Sequence, residues 1–131
     1  MPNPDVVIYL IAGDAAKAME FYVKGLGAEE VSRWVDPANG KIGHSEFRIG
    51  RQSLFLADEY PAMEAIGVKS PAALGGTSVG FWIDVPELEP AIERARAAGG
   101  RIVEAIQPST EGGRRCRIAD PAGHIWTLAG P

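Results

Sequence analysis

The alternation of hydrophobic and polar positions predicts that this chain opens with a strand and a helix. Residues 5–11 form a short apolar stretch with β-branched side chains between turn-forming residues, which is typical of a strand. The helix that follows can be capped by Asp14 and is predicted to end at Gly25 and Gly27. Its apolar side chains recur at helical spacing on one face: Ala15, Ala18, Met19, Tyr22 and Leu26.

Three further strands are predicted at short intervals, at residues 29–35, 41–49 and 53–58. The periodicity then disappears over residues 59–76, where prolines, glycines and small side chains predict a connector with one helical turn near residues 63–66. A connector of this length inside one domain usually covers or borders a functional site.

The second half of the chain repeats this plan. The same order of strand, helix and three strands indicates an internal duplication, with modules at about residues 4–58 and 77–130 of a single domain. The predicted strands lie at residues 78–84, 101–106, 114–119 and 124–129. The predicted helix begins between Pro86 and Pro90 and ends at Gly99 and Gly100. Its apolar face consists of Leu88, Ala91, Ile92, Ala95 and Ala98.

Composition and charge narrow the possible partners and compartments. The net charge is −4 and the arginines are scattered, which argues against nucleic acid as a partner. The early apolar run at residues 6–12 is too short to span a bilayer and lacks the basic start of a signal peptide, so we expect no membrane partner. Cys116 is the single cysteine, which excludes an intrachain disulfide and fits a cytoplasmic protein. We expect it to be a small buried hydrophobe.

Three stretches carry a resemblance to a known family. They are the opening IAGDAAKAMEFYVKGLGAEE, the ADEYP after the fourth strand and the closing DPAGHIWTLA. With the repeated βαβββ order, they resemble the vicinal oxygen chelate superfamily, which includes glyoxalase I, bleomycin-resistance proteins and extradiol dioxygenases. The resemblance implies an α+β fold in which two βαβββ modules form an eight-stranded, cup-shaped sheet. In many members a twofold dimer completes the cups, so we expect a homodimer.

The same resemblance argues against the metal chemistry of the family. Its metal enzymes place ligands on the first and fourth strands of each module, and these positions fall on Val7, near Phe55, at or beside Gly80, and on Thr127. Imidazole and carboxylate are missing at all four, and a threonine hydroxyl alone binds metal weakly. The chain is therefore most similar to the metal-lacking members associated with phosphonate operons and drug resistance, and we expect no metal and no cofactor.

Side-chain alternation along the strands then predicts which residues face the cup. Aromatic walls with a few polar groups suit a flat organic ligand, and arginine favours an anionic or carbonyl-bearing one. Trp34 can fall on either face. The residues predicted to face the cup and contact a small-molecule ligand are Tyr9, His44, Glu46, Phe55, Trp82, Arg115, Arg117 and Thr127.

Several alternatives stay open at this point. His44 and Glu46 could simply pair with arginines on a solvated strand, while Trp82 and Trp126 could belong to the core. His124 beside the closing turn suits a turn or sheet-edge contact. A metal-dependent lyase or dioxygenase would need a shifted ligand set, for which His44, Glu46 and His124 are the candidates. The sequence alone leaves open whether any catalysis remains.

Overall fold

The computed structural model describes residues 6–110 and 112–131, and the first half of the chain forms one four-stranded sheet with a helix on one side. The strand order is β1-β4-β3-β2, with β1 and β4 parallel and the other neighbours antiparallel. Asp5, in the predicted first strand, lies outside the described residues. The elements are β1 Ile8–Ala12, α1 Ala15–Leu26, β2 Glu29–Val35, β3 Ile42–Ile49 and β4 Gln52–Asp58.

The second half forms a matching sheet in the order β5-β8-β7-β6, again with its first and last strands parallel. The predicted α+β fold of two βαβββ modules is confirmed, with the eight strands divided between two sheets. No helix in the described ranges is long and apolar enough to cross a membrane. The elements are β5 Gly80–Asp84, α4 Leu88–Ala97, β6 Arg101–Pro108, β7 Arg114–Ala119 and β8 Ile125–Gly130.

The connector between the two halves holds two short helices, α2 Pro61–Ala65 and α3 Pro71–Leu74. The first corresponds to the predicted helical turn, whereas the second was not predicted. Its start nevertheless carries ordinary signals, because the Ser70 hydroxyl accepts a hydrogen bond from the Ala73 amide and a proline opens the helix.

Helix α1 ends at the second of its two predicted stops, Gly27, rather than at Gly25. Asp14 caps it as expected, since its Oδ1 accepts the Lys17 amide at 3.1 Å, and Gly27 ends it in the left-handed conformation with φ +72°. Gly25, by contrast, lies inside the helix. A Cβ there would lie only 3.0 Å from the Ala98 Cβ, so the glycine serves the close approach of α1 to the end of α4.

The core lies where α1 and α4 pack against the two sheets. The Tyr22 ring of α1 stacks on Phe47 of β3, with centroids 4.6 Å apart, and lies 5.5 Å from the Trp126 ring of β8. Trp126 is 2% exposed, so the expectation that it belongs to the core is confirmed. We call the side of each sheet that points away from the helices its open face.

A buried carboxylate, Asp120, organises the closing turn and joins the two halves. It is 5% exposed, and it accepts hydrogen bonds from Tyr22 Oη at 2.5 Å, Trp126 Nε1 at 2.9 Å, the Ala122 amide at 2.8 Å and the His124 amide at 3.1 Å. Burial acts to raise the pKa of Asp120, but the nearby His124 imidazole and the Tyr22 and Trp126 donors outweigh it and hold the pKa below its ordinary value.

The closing turn also fixes His124, which is buried beside it. Its Nδ1 lies 3.3 Å from Asp120 Oδ2, and its ring meets Phe81 edge-on with centroids 6.5 Å apart. The expected turn contact is therefore what the structure shows. Gly123 has φ +97°, which accounts for glycine at that turn position.

Cys116 is buried, as expected from the sequence. Its thiol donates to the Glu104 carbonyl oxygen at 3.3 Å, and burial followed by the charge of Glu104 raises the pKa of the thiol. A raised pKa keeps the sulfur protonated and unreactive near neutral pH.

Candidate functional site

Three aromatic rings predicted to face the cup come together on the open face of the first sheet. Tyr9 and Phe55 are register partners on β1 and β4, and their ring centroids are 5.5 Å apart. The His44 ring lies 4.8 Å from Phe55, and a 2.7 Å hydrogen bond joins its Nδ1 to Tyr9 Oη. Glu46 shares this face, opposite Phe55 in the register. These four side chains thus share one face of the first sheet, and their contact with a ligand stays a prediction.

Beside these rings the open face holds a cavity of about 330 Å³, which we call the Trp34 pocket. Tyr9 is the one residue common to the ring cluster and the pocket. The floor comes from β1, β3 and β4, while the walls come from the end of β2, the turn after it and the connector. The lining residues are Tyr9, Ile11, Trp34, Asp36, Gly43, Ala57, Asp58, Tyr60 and Met63.

The position of Trp34 depends on a glycine on the neighbouring strand. Trp34 pairs with His44 in the β2–β3 register, and its indole lies across Gly43. A Cβ at Gly43 would lie 2.4 Å and 2.6 Å from two atoms of that indole, closer than any real contact. Gly43 therefore allows the indole to lie against the sheet as a wall of the pocket.

A carboxylate and a phenol form another wall of the pocket. The Tyr60 hydroxyl donates to Asp36 Oδ2 at 3.0 Å, and the Ala38 amide donates to Asp36 Oδ1 at 2.9 Å. Burial and then this hydrogen bond to Asp36 raise the pKa of Tyr60, so the phenol remains a neutral donor at physiological pH. The Lys41 ammonium lies 5.2 Å from the centre of the Tyr60 ring and donates to the Glu59 carbonyl oxygen at 2.9 Å.

Asp58 closes the floor of the pocket and is fully engaged by backbone. Its Oδ1 accepts the Ala15 amide at the start of α1, and its Oδ2 accepts the Ile42 amide at the start of β3, each at 2.7 Å. Charge-assisted hydrogen bonds of this kind hold a carboxylate in one orientation. The floor is thereby rigidly connected to two other elements.

The open face of the second sheet carries a different group, which we call the Arg117 cluster: Glu104, Arg115, Arg117 and Thr127. Arg117 Nη1 contacts Glu104 Oε1 and its Nε donates to Thr127 Oγ1 at 3.2 Å, while Arg115 Nε donates to Glu104 Oε1 at 3.4 Å. One carboxylate thus serves both arginines. Their capacity to attract an anion is reduced accordingly.

Trp82 lies on the same open face and is 45% exposed, so it does not belong to the core. Its Nε1 donates to Asp84 Oδ1 at 2.9 Å, and it pairs with Thr127 in the register of β5 and β8. The structure therefore divides the predicted ligand-contacting set between two sheets. Tyr9, His44, Glu46 and Phe55 lie on the first sheet, and Trp82, Arg115, Arg117 and Thr127 lie on the second.

The residues at the family's metal positions do not fit a metal ion. Val7 and Phe55 offer hydrocarbon, Gly80 offers no side chain, and the single hydroxyl at Thr127 already accepts a hydrogen bond from Arg117. In the part of the chain that the structure describes, no three His, Cys, Asp or Glu side chains are grouped so that they could hold a metal.

The shifted ligand set is not assembled either. His44 is bonded to Tyr9 on the first sheet, whereas His124 is buried beside Asp120 at the end of the second. The two histidines and Glu46 therefore form no common site among the described residues.

Three lining residues of the Trp34 pocket were not predicted from the sequence: Asp36, Tyr60 and Met63. Two features of the sequence pointed toward Tyr60 and Met63, and neither pointed toward Asp36. The ADEYP string after β4 includes Tyr60, and the connector was expected to border a functional site because of its length. That expectation agrees with Tyr60 and Met63, which the connector contributes to the pocket.

Two βαβββ modules with a ligand-sized pocket on an open sheet face define a glyoxalase-like fold. Residues 6–128 match the family described as Glyoxalase/Bleomycin resistance protein/Dioxygenase superfamily, and the chain belongs to that superfamily. A protein of Mycobacterium bovis described as uncharacterised is 36% identical over 129 residues, which are 98% of this chain and 84% of that relative.

Solved structures agree with this assignment. A glyoxalase-related enzyme from Fulvimarina pelagi is 27% identical, with a TM-score of 0.73 over 98% of this chain and 88% of that one. A variant of the fosfomycin resistance protein FosX from Listeria monocytogenes, in complex with Mn(II) and a dihydroxypropylphosphonic acid, is 19% identical. Its TM-score is 0.72 over 98% of this chain and 93% of that one, which shows likeness of fold alone.

Proposed function

We propose that this protein is a metal-independent binding protein that holds a small aromatic molecule in the Trp34 pocket. The observation that carries the proposal is the pocket itself. Its volume of about 330 Å³ is that of a small-ligand site, and its walls combine the rings of Tyr9, Trp34 and Tyr60 with few polar groups. Apolar walls of this kind supply affinity, while Asp36 and Tyr60 can set the orientation of the ligand.

Metal independence is supported by the chemistry of the family's four metal positions, which lack nitrogen and carboxylate donors. This chain would then belong with the metal-lacking, drug-resistance-like members of the superfamily. The lone, buried Cys116 is compatible with a cytoplasmic location, which we propose as well.

The anionic ligand expected from Arg115 and Arg117 has less support. Both guanidinium groups lie on the other sheet, and both are paired with Glu104. An anion there would have to compete with a carboxylate that is already in place. The aromatic part of the expected ligand class therefore fits the structure better than the anionic part.

The protein's own tryptophans test the proposal. We expect meta-tert-butylphenol to shift the indole N–H signal of Trp34 in NMR spectra, while the signals of Trp82 and the buried Trp126 stay in place, because only Trp34 lines the pocket. Trp34→Phe and Trp82→Phe variants assign the signals. A shift confined to Trp82, or no shift up to the solubility limit, would contradict the proposal. Stoichiometric divalent metal in protein purified without chelator would overturn its metal-independent part.

We further propose that the protein is a homodimer whose second copy covers the open faces. Large apolar side chains are exposed on both faces, with Trp34 at 54% and Trp82 at 45%, and exposed apolar surface of this kind marks interaction sites. The resemblance to the superfamily also implies that a second copy of the chain covers these faces.

Sedimentation equilibrium tests this proposal. We expect twice the 13.9 kDa mass of one chain, and we expect Trp82→Glu to weaken the dimer by about 30-fold or more, as loss of a buried aromatic anchor does. Ile66→Glu is the matched control, because Ile66 is exposed on the connector rather than on an open face. A monomeric wild type, or equal dissociation of both variants, would disprove the dimer proposed here.

A further inference from the structure

The charged side chains that line the Trp34 pocket are of one sign. Two carboxylates, Asp36 and Asp58, line it, and none of its nine lining residues is a lysine, arginine or histidine. Among the described residues, no cationic nitrogen lies within ion-pair distance of either carboxylate, since their partners are backbone amides and the Tyr60 hydroxyl. The pocket lining therefore carries two negative charges, and the Lys41 ammonium beside the Tyr60 ring forms no ion pair with either of them.

The aromatic walls favour the same sign of ligand charge. The faces of tyrosine and tryptophan rings attract cations, and tryptophan does so most strongly. The pocket presents Tyr9, Trp34 and Tyr60, and the Lys41 ammonium that lies 5.2 Å from the Tyr60 ring centre shows that this ring already has a cation near its face. Rings and carboxylates together form the usual surroundings of a bound ammonium group.

Positive side chains elsewhere are too distant or already paired to change this balance. Arg48 shares the open face of the first sheet, but it lies four residues along β3 from His44, about 13 Å at the usual rise of a strand. Arg115 and Arg117 belong to the second sheet and are occupied by Glu104.

We propose that the Trp34 pocket selects ligands that carry a positive charge, namely a quaternary or protonated amine attached to a small aromatic frame. The ammonium group would lie between the Trp34 and Tyr60 rings near Asp36, and the aromatic frame would extend toward Tyr9 and Met63. The inference rests on the proposed function, because it assigns the charge of the ligand that the same pocket would bind.

Three probes of similar size but different charge test the inference. Meta-hydroxyphenyltrimethylammonium is the cation, meta-tert-butylphenol is its neutral isostere and meta-hydroxybenzoate is the anion. We expect the cation to bind about tenfold more tightly than the isostere, and the anion to bind more weakly than both, as judged by the Trp34 indole signal. Equal affinity of the cation and the isostere, or tighter binding of the anion, would overturn the inference and leave the proposed function standing. Failure of all three probes to bind would overturn both.

Two variants locate the preference. Asp36→Asn keeps a side-chain oxygen that can cap the turn but removes the charge, so the ratio of the affinities for the cation and the isostere should fall toward one, whatever happens to either affinity alone. Asp84→Asn is the matched control, because it removes one carboxylate from the second sheet, outside the pocket. If the Asp36→Asn variant keeps the full preference, or if Asp84→Asn reduces it equally, the assignment to Asp36 is wrong.

Discussion

Replacing Asp120 by alanine is expected to lower the free energy of unfolding by about 3–5 kcal/mol, as the loss of one partner in a buried charged network does. The substitution would leave the Tyr22 hydroxyl and the Trp126 indole N–H without their protein acceptor inside the core. It would also remove the acceptor for the Ala122 and His124 amides in the closing turn. Urea denaturation at neutral pH measures the loss.

The same carboxylate should make stability depend on pH in one direction. The pKa of Asp120 is lower in the folded protein than in an unfolded chain, so its stabilising contribution is complete above the unfolded value, about 4. The contribution is lost as the pH falls through the lower folded pKa. We therefore expect the wild type to lose stability below about pH 4, and an Asp120→Asn variant to lack that part of the decline.

A matched carboxylate on the surface separates this network from a general effect of charge. Asp84 accepts a single indole N–H at an exposed position, so Asp84→Ala should change the free energy of unfolding by no more than about 0.5 kcal/mol. Equal effects of the Asp120 and Asp84 substitutions would show that the buried network contributes nothing special to stability.

Gly43→Ala is expected to weaken binding of meta-tert-butylphenol at least about tenfold while the protein stays folded. The added methyl group would lie within 2.6 Å of the Trp34 indole, so the indole must leave the sheet and the pocket loses a wall. Removal of a major aromatic contact costs at least this much in typical binding sites. Gly43 is not one of the glycines with positive φ, so alanine can adopt its backbone conformation without strain.

Gly80→Ala provides the control for Gly43→Ala. Gly80 is also a strand glycine without positive φ, but a Cβ there would meet nothing within 4 Å, so affinity should be unchanged. Unaltered binding by Gly43→Ala, with its fold verified by circular dichroism, would show that the Trp34 wall is not needed for the ligand.

Regular alternation made part of the candidate site predictable. The second half of β3 alternates polar and apolar residues, so Phe47 could be assigned to the core side and His44 to the open face. Strand β1 is apolar throughout, so Leu10 and Tyr9 were assigned to opposite faces by strand geometry alone. In the structure Leu10 and Phe47 are buried, and the rings of Tyr9 and His44 meet on the open face. Their division between two sheets was not predictable, because strand facing does not specify which sheets share a cup.

Strand β2 shows why Trp34 could not be assigned in the same way. The register between β2 and β3 shifts between Glu30 and Ser32 and again between Trp34 and Val35. Each irregularity displaces the alternation by a residue, so counting along the strand fails. The same reasoning explains the missed pairing of Glu104 with the arginines, since β6 and β7 have two such shifts.

The remaining walls of the pocket come from segments without any period. Asp36 belongs to a turn, and Tyr60 and Met63 belong to the connector, where neither alternation nor helical spacing indicates direction. Their positions follow from tertiary contacts, such as the hydrogen bond between Tyr60 and Asp36 across 24 residues. Sequence reasoning could identify the connector as a functional border but not its inward-facing side chains.

The two hydrogen bonds of Asp58 also bear on how the first module folds. They join the ends of β4, α1 and β3 through a single side chain that reaches across 43 residues of sequence to Ala15. Opening of the helix start or of the strand start would break one of these two bonds and leave one carboxylate oxygen without its donor, so each opening has a cost at the shared side chain. We therefore expect the floor of the pocket to unfold together with the starts of α1 and β3.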